Sequence, residues 1–153
     1  MTDSYRIRRA RSADLDALLA LEQRAFHTDH LSRRQYRRHL RSTTAVVLVA
    51  SDAAGLLGKA LVFFNARTDI ARLYSIAVSE RARGQGLGAV LLAAVEKAAR
   101  RRGSRRMRLE VSQQNPAAIR LYERHGYRRI GERRGYYENG EHAWRYEKQL
   151  GAG

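Results

Sequence analysis

The residues best suited to chemistry form a glycine-rich turn, Arg83-Gly84-Gln85-Gly86-Leu87-Gly88. An apolar run at 73–78, typical of a strand, leads into this turn, and a run with helical spacing follows it at 89–102. Glycine lets the backbone approach a ligand closely, and a helix start presents unpaired N–H groups and the positive end of the helix dipole. The turn therefore predicts an anion-binding site, and the expected ligand is a phosphate-bearing cofactor.

Two other phosphate-binding loops are excluded by the residues around the turn. A dinucleotide-binding fold requires an acidic residue beyond the start of the next strand and more strand-helix units than this chain can hold. A P-loop requires Gly-Lys-Ser or Gly-Lys-Thr. Leu87-Gly88-Ala89 provides neither the lysine nor the hydroxyl that binds Mg²⁺.

The turn must be positioned by the elements around it, and the periodicity of the chain predicts what these elements are. The strand at 73–78, the helix after the turn and a strand from 106 form a crossover unit, whose two strands are parallel and connected in the right-handed sense. Open α/β sheets bind ligands beyond the carboxyl ends of such strands. Strands are expected at 5–8, 44–50, 56–64, 73–78, 106–112, 127–133 and 142–149, and helices at 12–25, 32–41, 89–102 and 115–125.

Capping residues mark the helix boundaries. Ser12 is expected to cap the first helix, and Ser32 opens a capping box for the second. Asn115-Pro116 is typical of a helix start. In the third helix the apolar residues repeat with helical spacing and predict a buried face, whereas Glu96 and the charged residues at 97, 100 and 101 are expected to face solvent.

Length and composition limit the class of protein. The chain has 153 residues, which suits a single domain spanning 1–153. No apolar stretch reaches the roughly 20 residues of a membrane span, and the N-terminus lacks the apolar core of a signal peptide, so we expect a cytoplasmic protein without membrane contact. The absence of cysteine excludes disulfides, cysteine-ligated zinc and thiol nucleophiles. No metal is predicted, because no metal-ligand spacing occurs among the histidines, which are His27, His30, His39, His125 and His142.

The charge of the chain is strongly unbalanced, with 30 Lys and Arg against 15 Asp and Glu and a formal net charge of +15. Arginine side chains match the geometry of phosphate and carboxylate groups. The surplus indicates attraction to polyanions such as RNA, the ribosome or an anionic cofactor. A genome whose base composition favours arginine and alanine codons is the alternative explanation.

The turn and the segments around it resemble the GNAT superfamily of acetyl-CoA-dependent N-acetyltransferases. The superfamily signature is Arg or Gln, two residues, Gly, one residue, then Gly or Ala, which Arg83 to Gly88 match. Ile76-Ala77-Val78 looks like the strand that binds the cofactor in this family. Other segments are similar to the ribosomal-protein N-terminal alanine acetyltransferases, namely Leu109-Glu110-Val111, Asn115 to Ile119, Leu121-Tyr122-Glu123, Gly126-Tyr127 and Arg134-Gly135-Tyr136-Tyr137.

The resemblance implies an α/β fold of the GNAT type. Such a fold has a mixed, mostly antiparallel sheet with helices on both faces, and a central parallel strand pair that splays at the acetyl-CoA site. The backbone of Ile76, Ala77 and Val78 would pair with the pantetheine arm, and one N–H there would polarise the thioester carbonyl. The other implied cofactor-binding residues are Arg81, Arg83, Gly84, Gln85, Gly86, Leu87 and Gly88 at the pyrophosphate, and Asn115 at the pantetheine or its neighbouring loop.

Acetyl transfer to an amine needs a base that takes a proton from the amine and an acid that protonates the departing thiolate. Glu110 lies on the polar face of its strand near the cofactor end and is the candidate base, acting directly or through water. An ion pair with Arg108 or Arg120 is the alternative role. Tyr122 resembles the general acid of the family, and the unperturbed tyrosine pKa of about 10 keeps it protonated. The alternative for Tyr122 is a packing role.

Substrate choice in the superfamily lies in two loops, here about His27 to Ser32 and Arg134 to His142. The second loop keeps Tyr136 and Tyr137, which are either substrate-binding residues or ordinary strand aromatics. The first reads Thr28-Asp29-His30-Leu31-Ser32 in place of the Pro-Trp-Ser-like pattern of the ribosomal-protein enzymes. This difference argues against a ribosomal-protein substrate.

The predicted function is acetyl transfer from acetyl-CoA to a primary amine by direct attack in a ternary complex. A protein N-terminal α-amine is the expected acceptor. A lysine side chain or a small-molecule amine is the alternative, and a polyamine acceptor requires a locally acidic site. The rival class is a non-catalytic RNA- or ribosome-binding module, supported by the arginines at 33–41 but lacking the aromatic signature of an RRM. The sequence is compatible with a monomer or a homodimer.

Overall fold

A computed structural model describes residues 4–26 and 28–151 of the chain. Seven strands form one sheet in the order β1-β2-β3-β4-β5-β7-β6. All neighbouring strands are antiparallel except β4 and β5, which are parallel. The strands are β1 (Arg6–Arg9), β2 (Ala45–Asp52), β3 (Gly55–Phe63), β4 (Ile70–Val78), β5 (Arg106–Ser112), β6 (Arg128–Arg133) and β7 (Ala143–Gln149), and the helices are α1 (Leu15–Ala25), α2 (Arg33–Arg41), α3 (Leu87–Arg101) and α4 (Pro116–Arg124).

Helices cover both faces of the sheet, because the central strands are apolar on both sides. Along β2, Val46 and Leu48 pack with α3 on one face, whereas Val47 and Val49 pack with α1 and α2 on the other. This alternation follows from the two-residue period of a strand. The predicted α/β fold, with its mixed and mostly antiparallel sheet, is thereby confirmed.

The parallel pair β4–β5 is short and opens at its carboxyl end. The two strands are paired from Ile70 and Arg106 to Leu73 and Leu109. Beyond this point, β4 remains paired with β3 and β5 with β7. A register shift against β3 leaves Tyr74 as an extra residue in β4, and such a bulge bends the strand that carries it. The bend separates β4 from β5 and leaves a gap between them.

The helix caps observed for α2 and α4 are those predicted from the sequence. The Ser32 hydroxyl accepts the Gln35 N–H at 3.1 Å, and the Gln35 side chain accepts the Ser32 N–H at 2.8 Å. The side chain of Asn115 accepts the Ala118 N–H at 3.2 Å. The prediction that Ser12 caps α1 was wrong, because a 3₁₀ turn at 12–14 precedes the helix and Ser12 makes no side-chain cap.

The predicted exposure of Glu96 was also wrong. Glu96 lies on the inner side of α3, where its carboxylate accepts the Tyr127 hydroxyl at 2.8 Å and pairs with Lys148 at 3.0 Å. Both partners come from residues far along the chain. The helical pattern of α3 alone therefore could not reveal them.

Among the described residues, no helix combines the length and the apolar character required to span a membrane.

Candidate active site

A cavity of about 670 Å³ opens where β4 and β5 separate. Side chains of both strands, of α4 and of the two predicted substrate loops line it. The loop between β6 and β7 contributes Tyr136, Tyr137, Asn139 and Glu141 to the lining, and the segment after α1 contributes Thr28 and Asp29. The lining residues include Ala25, Thr28, Asp29, Arg72, Ser75, Ile76, Glu110, Asn115, Tyr122, Tyr136, Tyr137 and Glu141.

The backbone of β4 offers unpaired amides to the gap. The Ser79 N–H donates to the Leu57 carbonyl of β3 at 2.8 Å. Because alternate residues of a strand direct their N–H and C=O groups to opposite sides, Ala77 also faces β3, whereas Ile76 and Val78 face the gap. Of the three predicted strand residues, Ile76 and Val78 therefore have backbone groups available to a ligand, and Ala77 has a buried side chain.

The glycine-rich turn has the geometry of an anion cradle. Gly84 and Gly86 have φ values of +78° and +79°, which favour glycine, and a Cβ added at either would meet no atom within 4 Å. The backbone conformation, rather than crowding, thus requires glycine there. The first helical bond of α3 runs from the Val90 N–H to the Gly86 carbonyl, so the N–H groups of the preceding residues 87–89 have no acceptor within the helix.

The two arginines predicted at the phosphates differ in their surroundings. Arg81 makes a two-armed ion pair with Asp52, at 2.9 and 2.8 Å, and this hydrogen bonding lowers the pKa of Asp52 to about 2. Arg83 is exposed and makes no ion pair with any described residue. The Gln85 side chain donates to the Arg81 carbonyl at 3.3 Å, which ties the turn together. Arg83 is thus the free cation beside the cradle within the described chain.

The candidate base Glu110 lies on β5 among three arginines. Arg72 is 2.9 Å from its carboxylate, Arg145 is 3.5 Å away and Arg133 is 3.6 Å away, while the side chain itself is 8% exposed. The ion pair foreseen with Arg108 or Arg120 thus involves other arginines. Arg145 stands directly opposite Glu110 on β7, whereas Arg108 pairs with Glu147 at 2.7 Å.

The candidate acid Tyr122 lies in α4 between Asn115 and the core. It is 7% exposed, and burial raises the pKa of its phenol above the usual value. Its ring meets that of Tyr127 edge to face, with the centroids 5.7 Å apart. The hydroxyl makes no hydrogen bond to a residue that the structure describes, and Tyr122 lines the cavity. It is a protonated donor without an acceptor among the described residues.

The aromatic pair Tyr136 and Tyr137 lines the cavity from the loop between β6 and β7. Their ring centroids are 4.9 Å apart and nearly perpendicular, and Arg72 donates to the Tyr136 hydroxyl. Next to them, the two substrate loops are joined. The Glu138 N–H donates to Asp29 at 3.1 Å, and the Asp29 N–H donates to Glu138 at 3.2 Å. His27, in the first of these loops, lies outside the described residues.

One cluster beside the cavity escaped the sequence reasoning. Lys59 of β3 is fully buried and lies 2.8 Å from both Glu22 of α1 and Ser75 of β4. The signal was present in the sequence, since Lys59 interrupts an apolar strand and Glu22 occupies a helix position one turn after buried Leu18. Within the described chain, no group of three or more His, Cys, Asp and Glu side chains could hold a metal ion.

A bulged and splayed parallel pair, a glycine cradle at the next helix start and a buried tyrosine facing the gap define a class of enzyme, the acetyl-CoA-dependent acetyltransferases. The chain belongs to the acetyltransferase (GNAT) family, whose model matches residues 13–127.

Known proteins similar to the chain fall in the same class. The ribosomal-protein-S18-alanine N-acetyltransferase of Escherichia coli has 28% identity and a TM-score of 0.86, over 98% of this chain and 96% of that one. Ard1 of Thermoplasma volcanium shares the fold, with 24% identity and a TM-score of 0.85 over 95% and 97%. The acetyltransferase Atu2258 of Agrobacterium fabrum is 46% identical over 54 residues. That match covers 35% of this chain and 38% of the relative's length.

Proposed function

We propose that the protein transfers the acetyl group of acetyl-CoA to a primary amine by direct attack in a ternary complex. The observation that carries this proposal is the gap between β4 and β5, where the free amide of Ile76 opens into the same cavity as the Tyr122 side chain. The absence of cysteine argues against an acyl-enzyme on a thiol.

The chain would hold the donor mainly through its backbone. The N–H groups from Gly84 to Gly88 would bind the pyrophosphate together with Arg83, and Ile76, Ala77 and Val78 would flank the pantetheine. Arg81 would bind the cofactor phosphates only after its ion pair with Asp52 is broken. Asn115, at the start of α4, borders the cavity and would contact the pantetheine while capping its helix. When bound, acetyl-CoA supplies an activated acyl carbon and a thiolate leaving group.

The chemistry requires two proton transfers. Glu110 would receive the amine proton through a water molecule, because its oxygens already face three guanidinium groups. Tyr122 would donate its proton to the thiolate sulfur. Its unpaired hydroxyl supports this role, since it has no acceptor among the described residues to compete with the sulfur.

The acceptor would be a protein N-terminal α-amine, bound between Tyr136, Tyr137 and the loop that holds Asp29. Support comes from the cavity, which residues of both loops line, and from the 28% identity with a ribosomal-protein-S18-alanine N-acetyltransferase. Asp29 and Glu141 line the cavity here, and Glu138 bonds to Asp29, so carboxylates border this part of a protein of net charge +15 and favour a cationic substrate. A lysine side chain or a small amine is the alternative acceptor.

Attraction to the ribosome or another polyanion would accompany this activity. The exposed face of α2 carries five arginines, of which Arg33 pairs with Asp16. The others make no ion pair with described residues and are Arg34, Arg37, Arg38 and Arg41. The rival view, in which the protein only binds RNA, leaves the cavity and Tyr122 without a role.

The test is a panel of peptides with varied N-terminal residues, compared with free lysine derivatives and small amines, each assayed for acetylation with acetyl-CoA. We expect the highest kcat/KM for a peptide α-amine. Equal rates for α- and ε-amines would contradict the acceptor proposal. The absence of any acetyl-CoA-dependent rise in melting temperature would contradict the enzyme proposal itself.

A further inference from the structure

A fully buried lysine borders the cavity, and the two proton transfers described above do not use it. The side chain of Lys59 is 0% exposed, and that of its partner Glu22 is 2% exposed. A buried charge is costly unless it is paired and hydrogen-bonded. Burial lowers the pKa of Lys59, while Glu22 acts in the opposite sense.

Glu22 is held in place from three directions. Its carboxylate accepts the Tyr36 hydroxyl at 2.8 Å and the Leu31 N–H at 2.9 Å, in addition to pairing with Lys59 at 2.8 Å. These contacts join α1, α2 and β3 beside the cavity, which Glu22 itself lines. Lys59 therefore has a fixed position, and its ammonium group cannot turn away to water.

The second hydrogen bond of Lys59 fixes the direction of a hydroxyl proton. An ammonium group can only donate, so Lys59 donates to the Ser75 oxygen at 2.8 Å, and the serine proton must point elsewhere. Ser75 lines the cavity, and within residues 4–26 and 28–151 its hydroxyl has no acceptor. The bulge at Tyr74 places Ser75 on this side of β4, directly before Ile76, whose N–H faces the gap.

We infer that the Ser75 hydroxyl is a second oxyanion donor beside the Ile76 N–H, and that Lys59 is a positioning residue that orients and polarises it. The inference rests on the proposed acetyl transfer. The amine lone pair forms a bond to the acyl carbon, and the carbonyl π electrons move onto oxygen, where Ser75 and Ile76 donate hydrogen bonds. The carbonyl then re-forms, the carbon–sulfur bond breaks, the thiolate takes a proton from Tyr122, and the amine nitrogen loses one toward Glu110.

The first test is Ser75→Ala, which leaves the pair of Lys59 and Glu22 intact. Loss of one oxyanion donor lowers kcat by about 10²-fold, with the KM of the amine unchanged. Ser75→Thr keeps the hydroxyl and is expected to restore most of the rate. Ser112→Ala is the matched control, because Ser112 lines the same cavity but already donates its proton to Glu141 at 2.8 Å. We expect this control to stay within about threefold of the wild type.

A second readout does not depend on turnover. Acetyl-CoA labelled with ¹³C at the carbonyl is bound without acceptor, and its carbonyl stretch is measured by isotope-edited infrared spectroscopy. A hydrogen bond from Ser75 lowers this frequency, so Ser75→Ala is expected to shift it back toward that of free acetyl-CoA. Calorimetry should show that Ser75→Ala weakens the binding of acetyl-CoA by a few-fold and leaves the binding of CoA unchanged.

The role of Lys59 is tested in a background that avoids an unpaired buried charge. The double variant Lys59→Met with Glu22→Gln removes both charges together and is checked for folding by its melting temperature. If Lys59 acts through Ser75, this double variant has a lower kcat than the wild type. Adding Ser75→Ala to it then lowers kcat by a much smaller factor than the same substitution does in the wild type. Additive losses would overturn the role of Lys59.

The outcomes separate this inference from the proposed function. If the wild type acetylates amines and Ser75→Ala has an unchanged kcat and carbonyl frequency, the oxyanion role of Ser75 is overturned. A Ser75→Ala variant that changes only the KM of the amine would also overturn it. If the wild type acetylates no amine in the panel, the proposed function itself is contradicted, whatever the behaviour of Ser75.

Discussion

Two trios of glutamate, lysine and tyrosine lie on opposite faces of the sheet, and they differ in what their lysines contact. The cavity trio consists of Glu22, Lys59 and Tyr36, and the core trio consists of Glu96, Lys148 and Tyr127. In both, the glutamate accepts a tyrosine hydroxyl and a lysine ammonium, and burial raises the pKa of both tyrosines.

The lysines have different surroundings. Lys148 of the core trio is 25% exposed and lies over the ring of Tyr127, 5.6 Å from its centroid. Lys59 of the cavity trio is fully buried and contacts Ser75. The lysine of the core trio reaches solvent, whereas the lysine of the cavity trio donates to the Ser75 hydroxyl, which lines the candidate active site. The same three residue types thus serve packing in one place and chemistry in the other.

The largest expected difference is in stability. Glu22→Ala leaves Lys59 buried without its carboxylate partner, and it also frees the Leu31 N–H, so it should lower the free energy of unfolding by about 3–5 kcal/mol. Glu96→Ala should cost about 2–3 kcal/mol, because it leaves the Tyr127 hydroxyl without its acceptor while Lys148 can turn to water. Urea unfolding followed by circular dichroism measures both. Equal losses would show that the exposure of the lysine does not matter.

The next difference concerns rate. Tyr122→Phe removes the proposed acid and should lower kcat by about 10²-fold or more, with the free energy of unfolding nearly unchanged, because its hydroxyl has no hydrogen bond to a described residue. Tyr127→Phe should behave in the opposite way, losing about 1.5–3 kcal/mol of stability from its bond to Glu96 while keeping its kcat. A wild-type kcat in Tyr122→Phe would remove that residue from the mechanism.

A neutral replacement of the core trio sharpens the comparison. Lys148→Met combined with Glu96→Gln should keep kcat within about twofold of the wild type, since no residue of this trio lines the cavity. The corresponding change of the cavity trio, Lys59→Met with Glu22→Gln, should lower kcat. Steady-state acetylation of one peptide by both variants decides the point. Similar rates in the two variants would mean that the trios do not differ in function.

The smallest expected effect lies at an exposed pair. Asp52→Asn releases Arg81 toward the cofactor phosphates, and an exposed contact of this kind should raise acetyl-CoA affinity by about two- to fivefold. The pKa of Asp52 is lowered to about 2, so the wild-type carboxylate stays ionised and holds Arg81 until the pH falls through that value. The gain should therefore be constant between pH 5 and 8, as measured by calorimetry. An unchanged affinity would exclude Arg81 from the phosphate site.

The sequence predicted the elements of the fold well, because their signals are local. The capping box of Ser32, the Asn115-Pro116 helix start and the alternation in β2 each depend on a few neighbouring residues. The prediction of the first cap failed because Arg11, and not Ser12, occupies the cap position of the 3₁₀ turn. Asp14 accepts the Arg11 N–H there and pairs with Arg8 of the preceding strand.

The site was predictable only in part, for a related reason. Gly84 to Gly88 and Tyr122 are found from a contiguous motif, whereas the surroundings of Glu110 depend on arginines of β4, β6 and β7. Glu22 and Lys59 are 37 residues apart, and Glu96 and Lys148 are 52 residues apart. A charged residue within an apolar pattern indicates that it has a buried partner, but the pattern does not identify the partner residue.

The shortness of the β4–β5 pairing has a consequence for how the molecule opens. Four residue pairs, from Ile70 and Arg106 to Leu73 and Leu109, form the only strand pairing between β1–β4 and β5–β7 in the described chain. Each half is an antiparallel sheet that could separate from the other at this seam as a cooperative unit. A donor bound in the gap would bridge the halves, so acetyl-CoA should slow amide hydrogen exchange in β5 and β7 as well as in β4.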